Sequence, residues 1–138
     1  MSGLVLGVGG DEQPGRTLRA YAHCARSNCS AAGMGCVAVA LVNIAPIAAS
    51  IDLQIGNSSS KGRRFVYQIS TVEQTFTGHR TTLNGKELLM EGAKLPLMSP
   101  VVEEMAGPMT MPALSVAFVV LPDAQVPACT GSIDTMHS

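Results

Sequence analysis

Apolar and polar residues alternate along several short stretches of the chain, as they do in β-strands that have one covered face. In the clearest stretch, 17–25, one face carries Leu18, Ala20, Ala22 and Cys24, and the other carries Arg19, Tyr21 and His23. We interpret Tyr21 and His23 as half-exposed residues of this strand. Contact with a neighbouring domain is the alternative interpretation.

Further short strands are predicted at 4–8, 48–55 and 65–69. The stretch 36–44 is apolar on both faces and rich in β-branched residues, which is typical of a central strand. The last strong strand, 113–121, is also apolar on both faces, with Phe118 at its centre.

Asn84 and Gly85 predict a tight hairpin between strands at 81–83 and 86–90, because both residues tolerate the positive φ of a type I′ turn. The next segment, 91–112, contains four prolines and four methionines, which excludes a helix and predicts extended, loop-like chain. We expect its methionines to fill gaps beneath this loop rather than to bind a metal. They are Met98, Met105, Met109 and Met111.

The pattern as a whole predicts an all-β fold, an antiparallel β-sandwich of seven or eight short strands without a helix. We divide the chain into a linker with a first short strand (1–16), the sandwich domain (17–129) and a disordered tail (130–138).

The composition argues against nucleic-acid binding and against a membrane-spanning segment. The 138 residues are 46% hydrophobic and 14% charged, with a formal net charge of −1, so there is no basic field to hold nucleic acid. The absence of tryptophan argues against a base-stacking platform. The longest apolar region, 36–51, is too short and too interrupted for a transmembrane segment, and the first residues do not form a signal peptide.

No motif for catalysis, a metal or a cofactor stands out, so we assign no catalytic, metal-binding or cofactor-binding residue. Glu103 and Glu104 are adjacent and would face opposite ways in a strand, which prevents them from acting together as a glycosidase pair. One basic cluster, Lys61, Arg63 and Arg64, is a candidate for anion binding or a solubilising sheet edge.

Four cysteines, at 24, 29, 36 and 129, lack the spacing of a zinc site. A disulfide between Cys129 and one of the three early cysteines suits this distribution, and the spacing leaves the partner open. Four free thiols in a cytosolic protein are the alternative. Asn28 and Asn57 begin glycosylation sequons in predicted loops.

Three segments carry a family resemblance: TLRAYAHC (17–24), LNGKEL (83–88) and PALSVAFVVLPDAQVPAC (112–129). In this order they resemble the C-terminal domain of heparanase-like proteins, glycoside hydrolase family 79, and most of all its plant branch. The resemblance extends over roughly residues 4–129.

The resemblance implies a β-sandwich that packs beside a (β/α)8 barrel, with the barrel absent from this chain. The family's acid/base glutamate lies in an Asn-Glu-Pro motif on the barrel, and this sequence contains no Asn-Glu dipeptide. The resemblance also implies a disulfide between Cys24 and Cys129, and gives no role to Cys29 and Cys36.

We therefore expect the non-catalytic C-terminal domain, or a fragment, of a retaining β-glucuronidase that hydrolyses glucuronide linkages. The chain alone would be inactive and would need no cofactor; its partners would be the barrel and, weakly, acidic glycans. The resemblance implies a glycoprotein that is secreted, in the cell wall, or in a lysosome or vacuole, in association with membranes. A free-standing module that binds acidic glycans or another partner is the alternative, and an inactive truncated product is a third.

Overall fold

The computed structural model describes residues 5–6, 17–26, 35–55 and 62–129, and within these ranges the regular structure is antiparallel β-sheet. The strands are β1 (Val5–Leu6), β2 (Leu18–Cys24), β3 (Val37–Asn43), β4 (Ala49–Ile51), β5 (Arg63–Thr71), β6 (Thr81–Leu83), β7 (Lys86–Glu87), β8 (Val101–Glu104), β9 (Met109–Met111) and β10 (Ser115–Leu121). A single 3-10 turn follows at Pro127–Cys129. The predicted all-β fold is confirmed, and the predicted tail at 130–138 lies outside the described residues.

Eight of these strands form the main sheet, in the order β1-β2-β3-β10-β5-β6-β7, with β8 also paired to β5. Strand β10 lies between β3 and β5 and pairs with both, so the last of the described strands occupies the middle of the sheet. The predicted central position of 36–44 is confirmed, because β3 pairs with β2 on one side and β10 on the other.

The second layer is the two-stranded ribbon formed by β4 and β9. It covers one face of the main sheet, which we call the inner face, and the core lies between them. The core combines Ile51, Met109 and Met111 of the ribbon with Val39, Leu41, Val66, Ala117 and Val119 of the sheet. Met105 packs at its margin, whereas Met98 is exposed, so two of the four methionines lie in the core and a third packs against it.

The chain crosses from the main sheet to the ribbon twice. It passes from β3 through β4 back to β5, and from β8 through β9 back to β10. Asn43, which is 1% exposed, joins the two crossings. Its Nδ2 donates to the carbonyl oxygens of Ile47 and Pro112 at 3.0 Å, and its Oδ1 accepts from the Ala45 amide at 3.0 Å. One buried amide thereby satisfies three backbone groups that have no ladder partner.

The proline-rich segment differs from its prediction, since it contains strands β8 and β9 rather than loop alone. Pro100 immediately precedes β8, while Pro108 and Pro112 directly flank β9. At these positions a missing N–H removes no ladder bond inside a strand, so the prolines bound the strands instead of preventing them. The predicted strand at 48–55 is shorter than expected, with ladder pairing at Ala49–Ile51 and an isolated bridge residue at 55.

The predicted Asn84–Gly85 hairpin is confirmed: β6 pairs with β7, and the two turn residues have φ of 51° and 81°. The Asn84 side chain also bonds to β5, in the gap between the parts of that strand that pair with β6 and β8. Its Oδ1 accepts from the Gln68 amide and its Nδ2 donates to the Val66 carbonyl, both at 3.0 Å. A turn side chain thus continues the ladder where neither strand reaches.

Replacing Asn84 by glycine should retain the turn, because glycine adopts positive φ without strain, and should remove both side-chain bonds to β5. We expect the free energy of unfolding to fall by about 1–3 kcal/mol, at roughly 0.5–1.5 kcal/mol per hydrogen bond. Urea denaturation followed by circular dichroism measures it. Asn84→Ala should cost about 1 kcal/mol more, since it also strains the turn. A glycine variant as stable as the parent chain would contradict the bridging role.

Candidate functional site

One end of the sheet is closed by a disulfide between Cys24, at the end of β2, and Cys129, in the 3-10 turn. The two Cα atoms are 5.3 Å apart and the residues are 105 positions apart in sequence. This pairing is the one that the family resemblance implies. The alternative of four free thiols is therefore wrong.

Gly35 holds the C-terminal segment at the same place. Its amide donates to the Cys129 carbonyl at 3.1 Å, and its carbonyl accepts from the Val126 amide at 3.0 Å. Gly35 has a φ of 82°, and a Cβ atom there would lie 2.7 Å from Gln125 Cα. Only glycine permits so close an approach of the two backbones.

Cys36 is also disulfide-bonded, and it is buried next to Gly35. No role was predicted for this residue. Cys29 lies outside the described residues.

Arg63 and Arg64 of the predicted basic cluster do not lie on one surface. Arg63 and Arg64 are consecutive on β5, so their side chains leave opposite faces of the sheet. Arg64 points to the inner face, where its side chain is 7% exposed and its Nε lies 2.7 Å from Glu103 Oε2. It also donates to the Gly107 carbonyl, so it anchors β8 and is not available to an anion. Lys61 lies outside the described residues.

Arg63 is exposed but paired, because Asp123 Oδ2 accepts hydrogen bonds from its backbone amide at 2.9 Å and from its Nε at 3.2 Å. These bonds hold the pKa of Asp123 below its ordinary value and raise the pKa of Arg63. Both groups are therefore charged at neutral pH, and Asp123 already neutralises the arginine.

Several of the described carboxylates lie beside arginines. Glu103 and Glu104 pair with Arg64 and Arg63 in the β5–β8 register, on opposite faces as predicted. Arg80 binds Glu87 through two hydrogen bonds of 2.9 and 2.6 Å, which lowers the pKa of Glu87. Glu103 and Glu87 therefore form ion pairs with arginines.

Among the described residues, no group of three or more histidine, cysteine or acidic side chains is placed to hold a metal ion. In the same residues, no helix has the length and hydropathy needed to cross a bilayer. The two sequon asparagines, Asn28 and Asn57, lie outside the described ranges.

The main sheet has a second face, opposite the ribbon, which we call the outer face. It carries apolar and aromatic side chains and is the candidate interaction surface. Residues that are directly opposite in register share a face, so Tyr21, Ala40, Phe118 and Tyr67 form one row across β2, β3, β10 and β5. A second row contains His23, Ala38, Val120 and Phe65. The ribbon covers the inner face, and Tyr21 and Phe118 of the outer face are 51% and 38% exposed.

This outer face was not predicted as a site, although a signal for it was present. Strands β3 and β10 are apolar on both faces, a pattern that belongs to sheets with cover on both sides. The described chain covers one side. The apolar outer face of β3 and β10 is therefore not explained by packing within the described chain, and we treat it as the candidate functional surface.

Comparison with known proteins adds no family, since neither a family model nor a curated protein matches this sequence.

A peptide map under non-reducing conditions should contain a Cys24–Cys129 peptide. This bridge closes a loop of 105 residues, for which the chain-entropy model gives about 4–5 kcal/mol of stabilisation. Cys24→Ser/Cys129→Ser should therefore lower the free energy of unfolding by up to about that amount. Cys129 linked to any other cysteine would contradict the assignment.

Proposed function

We propose that this chain is the non-catalytic C-terminal β-sandwich domain of a heparanase-like β-glucuronidase, or a fragment of one. The Cys24–Cys129 disulfide carries the proposal, because the resemblance implies that pairing among the several that four cysteines allow. The three segments that carry the resemblance also occupy structurally important places: β2, the β6–β7 hairpin, and β10 with its C-terminal extension.

The outer face of the sheet supports the same proposal. An apolar face of this kind belongs to a domain that packs against another. A (β/α)8 barrel has an outer ring of helices, which offers a large apolar counterpart to a sheet. In this role the domain braces the barrel, and the barrel alone supplies the acid and the nucleophile that cleave glucuronide linkages with retention.

Disulfides persist in oxidising compartments, which supports a location outside the cytosol: secreted, in the cell wall, or in a lysosome or vacuole. The acidic-glycan-binding alternative has less support, because Arg64 is buried in an ion pair and Arg63 is neutralised by Asp123. A free-standing interaction module is still compatible with the outer face.

Reading the transcript upstream of the Met1 codon tests the proposal. We expect an open reading frame that continues upstream in frame, encodes a (β/α)8 barrel and contains an Asn-Glu-Pro motif. A signal peptide directly before Met1 would contradict the proposal and favour the free-standing module.

The pure chain should not hydrolyse a chromogenic β-glucuronide. Glycosidases need two carboxyl groups placed across the scissile bond, whereas Glu87, Glu103 and Asp123 are engaged by arginines. The measurement is release of the chromophore at several pH values, with an active β-glucuronidase as the positive control. Turnover that disappears when one of the chain's own carboxylates is replaced would contradict the prediction.

A further inference from the structure

The outer face contains a shallow trough that runs along β3. Its floor is formed by the small side chains of Ala38 and Ala40, which are half-buried. The register places larger side chains on both sides of this floor: Tyr21 and His23 on β2, and Phe118 and Val120 on β10. The walls are therefore aromatic and aliphatic, and the floor is aliphatic.

The dimensions of the trough suit an α-helix. Neighbouring strands are about 4.8 Å apart, so the side chains of β2 and β10 stand about 10 Å from each other across β3. A helix with its side chains is about 10–12 Å wide. Strand β3 has seven residues, or about 23 Å, which corresponds to about 15 residues of helix.

Along β2, β3 and β10, the outer face carries a single arginine and no carboxylate. The outward positions of β2 include Arg19, which is exposed, lies opposite Val42 at one end of the trough, and has no ion pair with a described residue. The outward positions of β3 and β10 are all apolar, and no carboxylate lies on this face of the three strands. Arg19 therefore has no acidic partner on these three strands.

We infer that the trough binds an amphipathic helix of a partner domain, with its apolar stripe on Ala38 and Ala40 and a carboxylate near Arg19. The inference goes beyond the proposed function and depends on the geometry of β2, β3 and β10 alone. If the proposed function is correct, an outer helix of the barrel supplies this helix.

Two other occupants have less support. A second copy of the chain would present the same face, and a two-fold contact requires a self-complementary surface. The trough strands β2, β3 and β10 bring an arginine without a carboxylate, so the trough does not complement itself. An acidic glycan would find one cation, Arg19, but the alanine floor offers no side-chain hydrogen bond to sugar hydroxyls.

A designed helix tests the inference. The probe is an amphipathic peptide of about 15 residues with a stripe of alanine and leucine, one tryptophan in the stripe and one glutamate at its edge. The chain contains no tryptophan, so the emission and anisotropy of the peptide report binding without background. We expect saturable binding with a blue shift, and at least tenfold weaker binding of a scrambled peptide that lacks the amphipathic period.

Two substitutions locate the binding site. Ala40→Arg should weaken binding at least tenfold by filling the floor, whereas Thr110→Arg, at an exposed position on the ribbon, should not change it. Arg19→Ala should weaken the glutamate peptide about 2–5-fold and leave a glutamine version unchanged, as expected for an exposed ion pair. Lys94→Ala is the matched charge control.

Failure of the peptide to bind at millimolar concentration, or equal binding by the scrambled peptide or by the Ala40→Arg chain, would overturn the inference. Dimerisation in sedimentation experiments that Ala40→Arg abolishes would assign the trough to a second copy instead. Displacement of the peptide by a uronic-acid oligosaccharide would assign it to a glycan. A transcript without a barrel would contradict the proposed function alone, and a peptide that does not bind would contradict this inference alone.

Discussion

Strand β10 is the element on which the rest of the structure depends. It pairs over Ser115–Leu121 with β3 and over 116–120 with β5, so without it the sheet would separate into two unconnected parts. Both of its ends are fixed. Before the strand, Asn43 and Ser115 both bond to the Pro112 carbonyl. After the strand, the chain returns to Gly35 and ends the described part at the Cys24–Cys129 disulfide.

This arrangement makes the fold strongly non-local. The main sheet cannot be completed until the C-terminal segment has inserted between strands that were made much earlier. Loop closure over such distances costs entropy before the contacts stabilise it, so folding of this kind is slow. A disulfide between Cys24 and Cys129 offsets part of that cost by restricting the unfolded chain.

Local periodicity was sufficient to predict β2, β3, β5, β10 and the Asn84–Gly85 hairpin, because each depends on a short sequence pattern. The remaining features depend on contacts between distant residues. Nothing in the sequence next to Arg64 shows that Glu103 will lie opposite it, so the sequence alone indicates a basic cluster where the structure has a buried arginine in an ion pair. Likewise, proline count alone cannot show whether Pro100 and Pro108 interrupt strands or precede them.

Strands β3 and β10 are apolar on both faces, but the ribbon packs on one face only, and this difference is the reason to expect a partner. The ribbon of β4 and β9 is short, and it covers the inner face around Val39, Ala117 and Val119. The opposite sides of β3 and β10 carry as much apolar character, yet they remain half-exposed, with Phe118 at their centre. Alternating polar residues would have been sufficient for a solvated face. The ribbon covers only one of the two apolar faces of these strands. Such an arrangement is typical of a domain whose second apolar face packs against another domain.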